Sequence, residues 1–359
     1  MNQDSYQRLA QRLDALPNGF PSTADGAELR LLAKLFTPEE ADLVARLRLT
    51  LETPQEIANR IDGDAKTIRA QLKGMARRGL IKANRHPAGG LGYGLLPFVV
   101  GIYEFQVERM DAELARLFED YYLQAFGKIL TVAPQVHRVI PVNQTVRADM
   151  EIQPYESAAQ IVDNTQAWGV VDCICRKQKA LIGDPCEHPL DVCMVLSPTP
   201  GAFDQSTTVR ALTRDEAMAT LQRAAEAGLV HSVSNNRQGL WYLCNCCTCS
   251  CGILRGMADL GIANVIARSA FINTVDEDRC IGCGDCVTSC QFDALSLDDV
   301  ARVNDPRCVG CGVCVPVCPE NALGLIRRPD EQVKPPPVTE SDWQADRSAA
   351  RGLNLEKVL

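Results

Sequence analysis

The sequence has no long run of apolar residues. Its most apolar stretch, residues 95–103, is far too short to cross a lipid bilayer. The first residues, MNQDS, are polar and lack the apolar core of a secretion signal. These absences predict a soluble, cytoplasmic protein without a membrane span.

Aromatic residues and an excess of basic charge are also lacking. Aromatic residues make up 5% of the chain, and the formal net charge is −8 at pH 7. An acidic chain has no general attraction for the phosphates of nucleic acid. The Gly-rich fingerprint of dinucleotide-binding folds, the P-loop and the nucleophile elbow of hydrolases are absent from the sequence. The sequence therefore predicts no organic cofactor and no hydrolytic site, and no catalytic residue is assigned.

Cysteine is missing from both ends of the chain. All 17 cysteines lie between Cys173 and Cys318. Disulfide scaffolds are short, secreted and rich in cysteine throughout, so this uneven distribution indicates metal ligation in a reducing compartment.

The last eight cysteines form two copies of the pattern C-x₂-C-x₂-C-x₃-C, at residues 280–290 and 308–318. In iron–sulfur proteins with this pattern, three cysteines of a run bind one cluster and the fourth binds the other cluster. Two [4Fe-4S] ligand sets are thus predicted, namely Cys280, Cys283, Cys286 and Cys318, and Cys308, Cys311, Cys314 and Cys290. Zinc ribbons and chance cysteines are disfavoured because both fourth cysteines are in place.

Residues from about Phe271 to Arg328 resemble a bacterial-type two-cluster [4Fe-4S] ferredoxin domain. One residue departs from the pattern of that family: Gln291 follows Cys290 where proline is usual, whereas Pro319 keeps the expected Cys-Pro pair. The change leaves the ligands intact. It is expected to alter the turn and the amide hydrogen bonds around that cluster.

Nine further cysteines form a central field: Cys173, Cys175, Cys186, Cys193, Cys244, Cys246, Cys247, Cys249 and Cys251. Core packing does not explain so many thiols in C-x-C and C-C-x-C-x-C runs. Three interpretations compete. The field holds one or two more [4Fe-4S] clusters, using a set such as Cys175, Cys186 and Cys193 with a cysteine of the 244–251 run; or it holds zinc; or it contains a redox-active thiol pair.

Three other residues of the central field are candidates for a role at a metal. His188 and His231 are additional candidate ligands, although a lone histidine is more often an ordinary polar residue. Arg176, beside Cys175, is expected to stabilise a thiolate or an anionic cluster, or alternatively to contact a carboxylate.

The segment 37–95 has the pattern of a winged helix-turn-helix. Capping boxes at Thr37 and Thr53 and an N-cap at Asp64 predict three helices, followed by a strand and a Gly-rich loop. The third helix carries basic side chains that suit phosphate groups: Lys66, Arg69, Lys73, Arg77 and Arg78. The alternative is a solvated basic face on a module that makes protein contacts, and the overall acidic charge disfavours nucleic acid.

The complete chain is expected to be an α+β protein. Its predicted parts are an N-terminal helical segment (1–36), a winged-helix-like module (37–95), a central cysteine-rich α+β domain (96–270), the ferredoxin domain (271–328) and an extended tail (329–359). Residues 100–328 also resemble a group of prokaryotic [4Fe-4S]-binding proteins with Cys-x-Cys-Arg and Cys-Asn-Cys-Cys segments. That resemblance implies electron transfer and names no substrate.

The predicted function is iron–sulfur electron transfer, as a ferredoxin-like carrier or as the electron-transfer subunit of an oxidoreductase. Residues 272–328 contain nine acidic and five basic side chains, a net charge of −4. This field is expected to favour basic patches on a redox partner protein. The alternatives are a redox-responsive winged-helix transcriptional regulator and a reductase with a substrate site at a central cluster.

Overall fold

The computed structural model of the protein describes residues 2–142, 145–146 and 150–359. The chain divides into two compact units. One contains the chain up to Val132 with Leu181–Gly183 and Gln344–Leu359, and the other contains Ala133–Ala180 and Asp184–Trp343. Helices and antiparallel strands are both present, which confirms the predicted α+β class.

The first unit is mainly helical. Its elements before Val132 are α1 (Asn2–Asp14), α2 (Ala27–Leu35), α3 (Pro38–Val44), α4 (Pro54–Ile61), α5 (Ala65–Arg77), β1 (Lys82–Arg85), β2 (Leu91–Gly94), α6 (Ala112–Tyr121) and α7 (Gly127–Leu130). The capping boxes at Thr37 and Thr53 begin α3 and α4, and the Asp64 side chain caps α5, as the sequence predicts.

The basic residues of α5 divide into two kinds. Lys66, Arg69, Lys73 and Arg77 are exposed, and their spacing places them along one side of the helix. Arg78, by contrast, forms an ion pair with Glu40. Strands β1 and β2 pair antiparallel after α5. The winged-helix interpretation, and any nucleic-acid binding through it, stays a prediction.

The second unit contains the remaining strands and most of the remaining helices. Its elements are β3 (His137–Val139), α8 (Ala158–Asp163), β4 (Ala167–Val171), α9 (Ile174–Leu181), β5 (Cys193–Ser197), β6 (Arg210–Leu212), α10 (Arg214–Glu226), β7 (Val230–Ser234), β8 (Tyr242–Cys246), α11 (Arg255–Ala258), β9 (Phe271–Val275), α12 (Asp285–Ser289), β10 (Leu295–Leu297), β11 (Ala301–Val303) and β12 (Leu323–Arg327). Helix α13 (Glu340–Ala350) begins in this unit and ends in the first.

Six of these strands form one antiparallel sheet in the order β3-β7-β8-β5-β4-β6. One face of this sheet packs against helices α8 and α10 in a buried apolar cluster. The cluster includes Met194 and Leu196 of β5 and Leu243 of β8. Because side chains alternate along a strand, Cys193 and Cys244 lie on the opposite face. The sheet therefore separates an apolar core from a cysteine-bearing surface.

The ferredoxin-like part of the second unit is built from two strand pairs. Strand β9 pairs antiparallel with β12, and β10 pairs antiparallel with β11. The cysteine-rich turns and the short helix α12 lie between β9 and β12 in the sequence. The first and last strands of the domain therefore pair with each other. Leu295, Ala301 and Leu323 form its buried cluster together with several of the cysteines.

Residues 340–350 depart from the predicted extended tail because they form α13. Thr339 caps this helix, since its hydroxyl accepts a hydrogen bond from the Asp342 amide at 3.1 Å. Trp343 is buried and donates to the carbonyl of Gln135 at 2.9 Å. Arg347 has no exposed surface.

Arg347 binds the backbone of the first unit. Its guanidinium donates hydrogen bonds to the carbonyls of Pro17 at 2.9 Å, Ile129 at 2.7 Å and Val132 at 2.6 Å. Burial lowers the pKa of Arg347 to about 10, so the group stays charged at neutral pH. The helix thus joins two backbone segments of the first unit, at Pro17 and at residues 129–132, through one cation.

Among the residues that the structure describes, no helix combines the length and the apolar character that crossing a bilayer requires.

Candidate metal centres

Glycine residues shape both ferredoxin-like cysteine runs. Gly282 and Gly284 in the first run and Gly310 and Gly312 in the second all have positive φ. Side chains are excluded at Gly310, where a Cβ atom would lie 2.0 Å from the carbonyl oxygen of Phe271. These turns allow the backbone to wrap closely, so that consecutive cysteines of a run point into the same space.

The first predicted ligand set lines a single pocket. Four thiols surround it, and they come from both runs: Cys280, Cys283, Cys286 and Cys318. Leu297, Ala301 and Leu323 complete the apolar wall. We call these four residues the first cysteine set.

The second predicted ligand set also mixes the two runs. Burial, followed by the nearby thiols of Cys290 and Cys308, raises the pKa of Cys311 to about 12. Burial, followed by the thiols of Cys311, Cys290, Cys308 and Cys286, raises the pKa of Cys314 as well. Cys290 therefore lies with Cys308, Cys311 and Cys314, the second cysteine set, although it belongs to the first run.

Backbone and side-chain N–H groups point at the sulfur atoms of both sets. The Ala301 and Ala322 amides donate to Cys280 and Cys318 at 3.4 Å and 3.3 Å. In the second set, the Ala294 amide donates to Cys290 at 3.3 Å and the Asn273 amide group donates to Cys314 at 3.4 Å. Such bonds stabilise thiolates, and all-sulfur donors within an apolar wall suit iron–sulfur clusters.

The central field has a different origin, in the antiparallel sheet. Strand β4 ends just before Cys173, β5 begins at Cys193 and β8 ends at Cys246. Neighbouring antiparallel strands run in opposite directions. The last residues of β4, the first residues of β5 and the last residues of β8 therefore lie side by side at the same end of the sheet. The sheet thereby gathers cysteines that are more than 70 residues apart in the sequence.

Six of the nine central cysteines form one connected group. Their thiols contact one another in series, in the order Cys193, Cys173, Cys175, Cys251, Cys246 and Cys244. Hydrogen bonds from Cys175 and Cys193 lower the pKa of Cys173, while the pKa values of both donors are raised. We call this the six-thiol group.

The other three central cysteines lie with a histidine. The ligand atoms of Cys186, His188, Cys247 and Cys249 all lie within 4.8 Å of one another. Hydrogen bonding to the thiols of Cys247 and Cys186 raises the pKa of His188 to about 9. Although burial raises it, contacts with His188 and Cys249 lower the pKa of Cys247 to about 6. We call these residues the Cys/His group.

Arg176 lies close to both central groups. The side chain is 2% exposed, and it donates to the Asn245 carbonyl at 3.1 Å and approaches the Cys247 Sγ at 3.8 Å. Although burial lowers it, the charges of Cys173, Cys193 and Cys247 raise the pKa of Arg176. Its Nε and Nη2 atoms have no hydrogen-bond partner among the described residues. A buried cation with unused donors suits a site that carries negative charge.

Gln291, the residue that departs from the ferredoxin pattern, connects the two cysteine regions. Its side-chain oxygen accepts a hydrogen bond from the Thr248 amide at 2.8 Å, and its amide group donates to the Gly228 carbonyl. Thr248 lies between two members of the Cys/His group, and Gln291 follows Cys290 of the second cysteine set. Proline could make neither contact.

We expect Gln291→Pro to loosen this connection without removing a metal ligand. The Thr248 amide and the Gly228 carbonyl would lose their partners, which costs about 1–3 kcal/mol. Hydrogen exchange at the Thr248 amide should become at least about fivefold faster, because about 1 kcal/mol is a factor of about five. Pro319→Gln at the matching position of the second run is the control, and it should leave that amide unchanged. Unaltered exchange in Gln291→Pro would show that the bridge has no role.

The structure places most of the predicted site residues in recognisable groups. Cys318 lines the pocket of the first cysteine set and Cys290 lies near the second, and all nine central cysteines belong to the two central groups. The assignment of these thiols as cluster ligands stays a prediction. His231 lies elsewhere, with its ring nitrogen against the Asn245 side chain. The sequence predicts His188 only as an additional candidate ligand. Its position two residues after Cys186 is the signal that favours this role.

Comparison with known protein families agrees with the ferredoxin-like part of the chain. The family described as the 4Fe-4S dicluster domain matches residues 273–325. No curated protein and no solved structure matches the chain. The protein thus contains a 4Fe-4S ferredoxin-like domain at residues 273–325 and is a metal-binding, iron–sulfur protein.

Proposed function

We propose that this protein transfers electrons through two [4Fe-4S] clusters bound by the first and second cysteine sets. It would act as a ferredoxin-like carrier or as the electron-transfer subunit of an oxidoreductase. The observation that carries the proposal is the mixing of the runs: Cys318 lies with the first set and Cys290 lies with the second. This arrangement is the one that two adjacent clusters require.

The residues of the chain would bind, shield and tune the clusters, which when bound supply one-electron oxidation and reduction. The N–H groups of Ala294, Ala301 and Ala322 stabilise negative charge on sulfur. Several of these cysteines are buried. Burial removes the thiolate from water and so raises the energy of the ionised thiolate. These opposing effects set the reduction potential.

The surface around the clusters would select the partner protein. The net charge of −4 over residues 272–328 favours a basic docking patch. Cys283 and Ile281 are exposed, Ile281 with 65% of its surface accessible, so the first set lies beneath an accessible surface. A partner with basic side chains around an apolar centre would complement this surface.

The six-thiol group supports a further iron–sulfur centre. It offers more than the four thiolates that one [4Fe-4S] cluster needs, and Arg176 supplies a buried positive charge beside it. Its thiols form a series and are not all mutually close, so members separated along the series can bind different irons.

Iron and acid-labile sulfide content of anaerobically purified protein tests the proposal. We expect about twelve irons and about twelve sulfides per chain, eight of each in the ferredoxin-like domain and four in the six-thiol group. Cys193→Ala and Cys283→Ala should each lower the iron content, and the two losses should add because the residues belong to different groups. A content of about eight irons that is insensitive to Cys193→Ala would leave the six-thiol group without a cluster. Fewer than about eight irons would contradict the main proposal.

A further inference from the structure

We infer that Cys186, His188, Cys247 and Cys249 bind a single zinc ion, separate from the iron–sulfur centres of the chain. All four ligand atoms lie within 4.8 Å of one another. Four ligands at about 2.0–2.3 Å from one tetrahedral ion are about 3.3–3.8 Å apart. In a four-iron cluster each thiolate binds a different iron, so the cluster itself holds the sulfur atoms further apart.

The same structure provides an internal comparison for this argument. Among the described residues, the Cys/His group is the one set of cysteine, histidine or acidic side chains whose ligand atoms cluster this closely. The first and second cysteine sets and the six-thiol group are not so compact, although they contain four or more thiols each. The Cys/His group therefore differs in size from the groups assigned to clusters.

The donor atoms give the second argument. Three thiolates and one imidazole form the Cys₃His set that is typical of structural zinc sites. Zinc binds such nitrogen and sulfur donors more tightly than ferrous iron does. Four protein ligands fill the tetrahedral coordination shell, so no position stays open for a substrate.

The surrounding residues give the third argument. The Ser250 hydroxyl donates to the Cys186 Sγ at 3.4 Å, and the Cys251 amide donates to the Cys247 carbonyl at 3.0 Å, which shapes the turn. Three thiolates and a zinc ion leave one net negative charge, and the buried Arg176 guanidinium 3.8 Å from the Cys247 Sγ balances it. The nearby groups therefore stabilise both the geometry and the charge of the bound ion.

The location defines what the ion would do. Cys247 is buried against Val192, Ala224 and Leu229, whereas Cys249 is exposed. The ion would tie the loop before β5 to the turn after β8 and could enter from the side of Cys249. The loop leads into Cys193 at the start of β5 and the turn carries Cys251, so the zinc would lie next to the six-thiol group without sharing a ligand with it.

Zinc content and X-ray absorption of the complete protein, purified anaerobically, test the inference. We expect about one zinc per chain, with about three sulfur neighbours at about 2.3 Å and one nitrogen at about 2.0 Å. Cys249→Ser should reduce the zinc content at least about tenfold without reducing the iron content. His188→Cys should retain the zinc and replace the nitrogen neighbour by a fourth sulfur. If His188 did not bind the ion, this variant would leave the zinc neighbours unchanged.

Variants of the other groups serve as matched controls. Cys193→Ser in the six-thiol group and Cys283→Ala in the first cysteine set should leave the zinc neighbours unchanged. Protein without zinc, or zinc that is insensitive to Cys249→Ser, would overturn the inference. Loss of about four irons in Cys249→Ser would also overturn it, while the clusters proposed for the ferredoxin-like domain would still be present in that variant.

Discussion

Replacing Cys290 and Cys314 together by alanine is expected to leave one ferredoxin-domain cluster intact, whereas replacing Cys286 and Cys290 together should leave none. The first pair comes from different runs but lies in the second cysteine set. The second pair comes from one run but belongs to different sets. The first double variant should lose about four irons, and the second should lose up to about eight.

The two double variants are matched, since each removes two thiols and shares Cys290. Iron content and the electron paramagnetic resonance of the reduced protein would be measured for both, with each single variant as a control. The opposite ranking, with one cluster preserved in Cys286→Ala/Cys290→Ala, would mean that each run binds its own cluster. Equal losses in both double variants would also contradict the proposed ligand sets.

Replacing Arg347 by methionine is expected to destabilise the first unit by about 3–5 kcal/mol. The guanidinium makes charge-assisted hydrogen bonds to three carbonyls, of Pro17, Ile129 and Val132. Methionine preserves much of the side-chain volume but leaves these carbonyls without that donor. Arg347→Lys should have an intermediate effect, because one ammonium group cannot reproduce the planar geometry of the guanidinium.

Urea unfolding followed by hydrogen exchange of peptides from the first unit would measure this effect. Arg116→Met is the matched control, because Arg116 is exposed on α6, and it should change stability by less than about 0.5 kcal/mol. Peptides of the ferredoxin-like domain report in the same experiment whether the second unit is affected. A midpoint for Arg347→Met equal to that of the control would show that this buried cation contributes nothing.

Local signals in the sequence predict the parts of the fold that depend on neighbouring residues. Thr37, Thr53 and Thr213 each begin a helix through a capping box, because the partner glutamate lies three residues away. The ferredoxin-like domain is predictable for the same reason, since its turns and ligands follow a short, regular spacing. The Thr339-x-x-Asp342 pattern before α13 is a signal of this kind that the prediction of an extended tail overlooked.

The division of the central cysteines depends on information that local spacing does not contain. Cys247 and Cys246 are adjacent in the sequence, yet they belong to different groups. Their separation follows from the point at which β8 ends and from its antiparallel register with β5, which are set by long-range pairing. The role of Gln291 is equally non-local, because its partners lie 43 and 63 residues away.

The position of residues 344–359 in the first unit has a consequence for biosynthesis. A ribosome makes these residues after it has made Cys318, the last cysteine of the chain. The first unit therefore cannot be completed until every thiol of the second unit has been synthesised. The contacts of Arg347 with Pro17, Ile129 and Val132 therefore form only after all 17 cysteines have been synthesised.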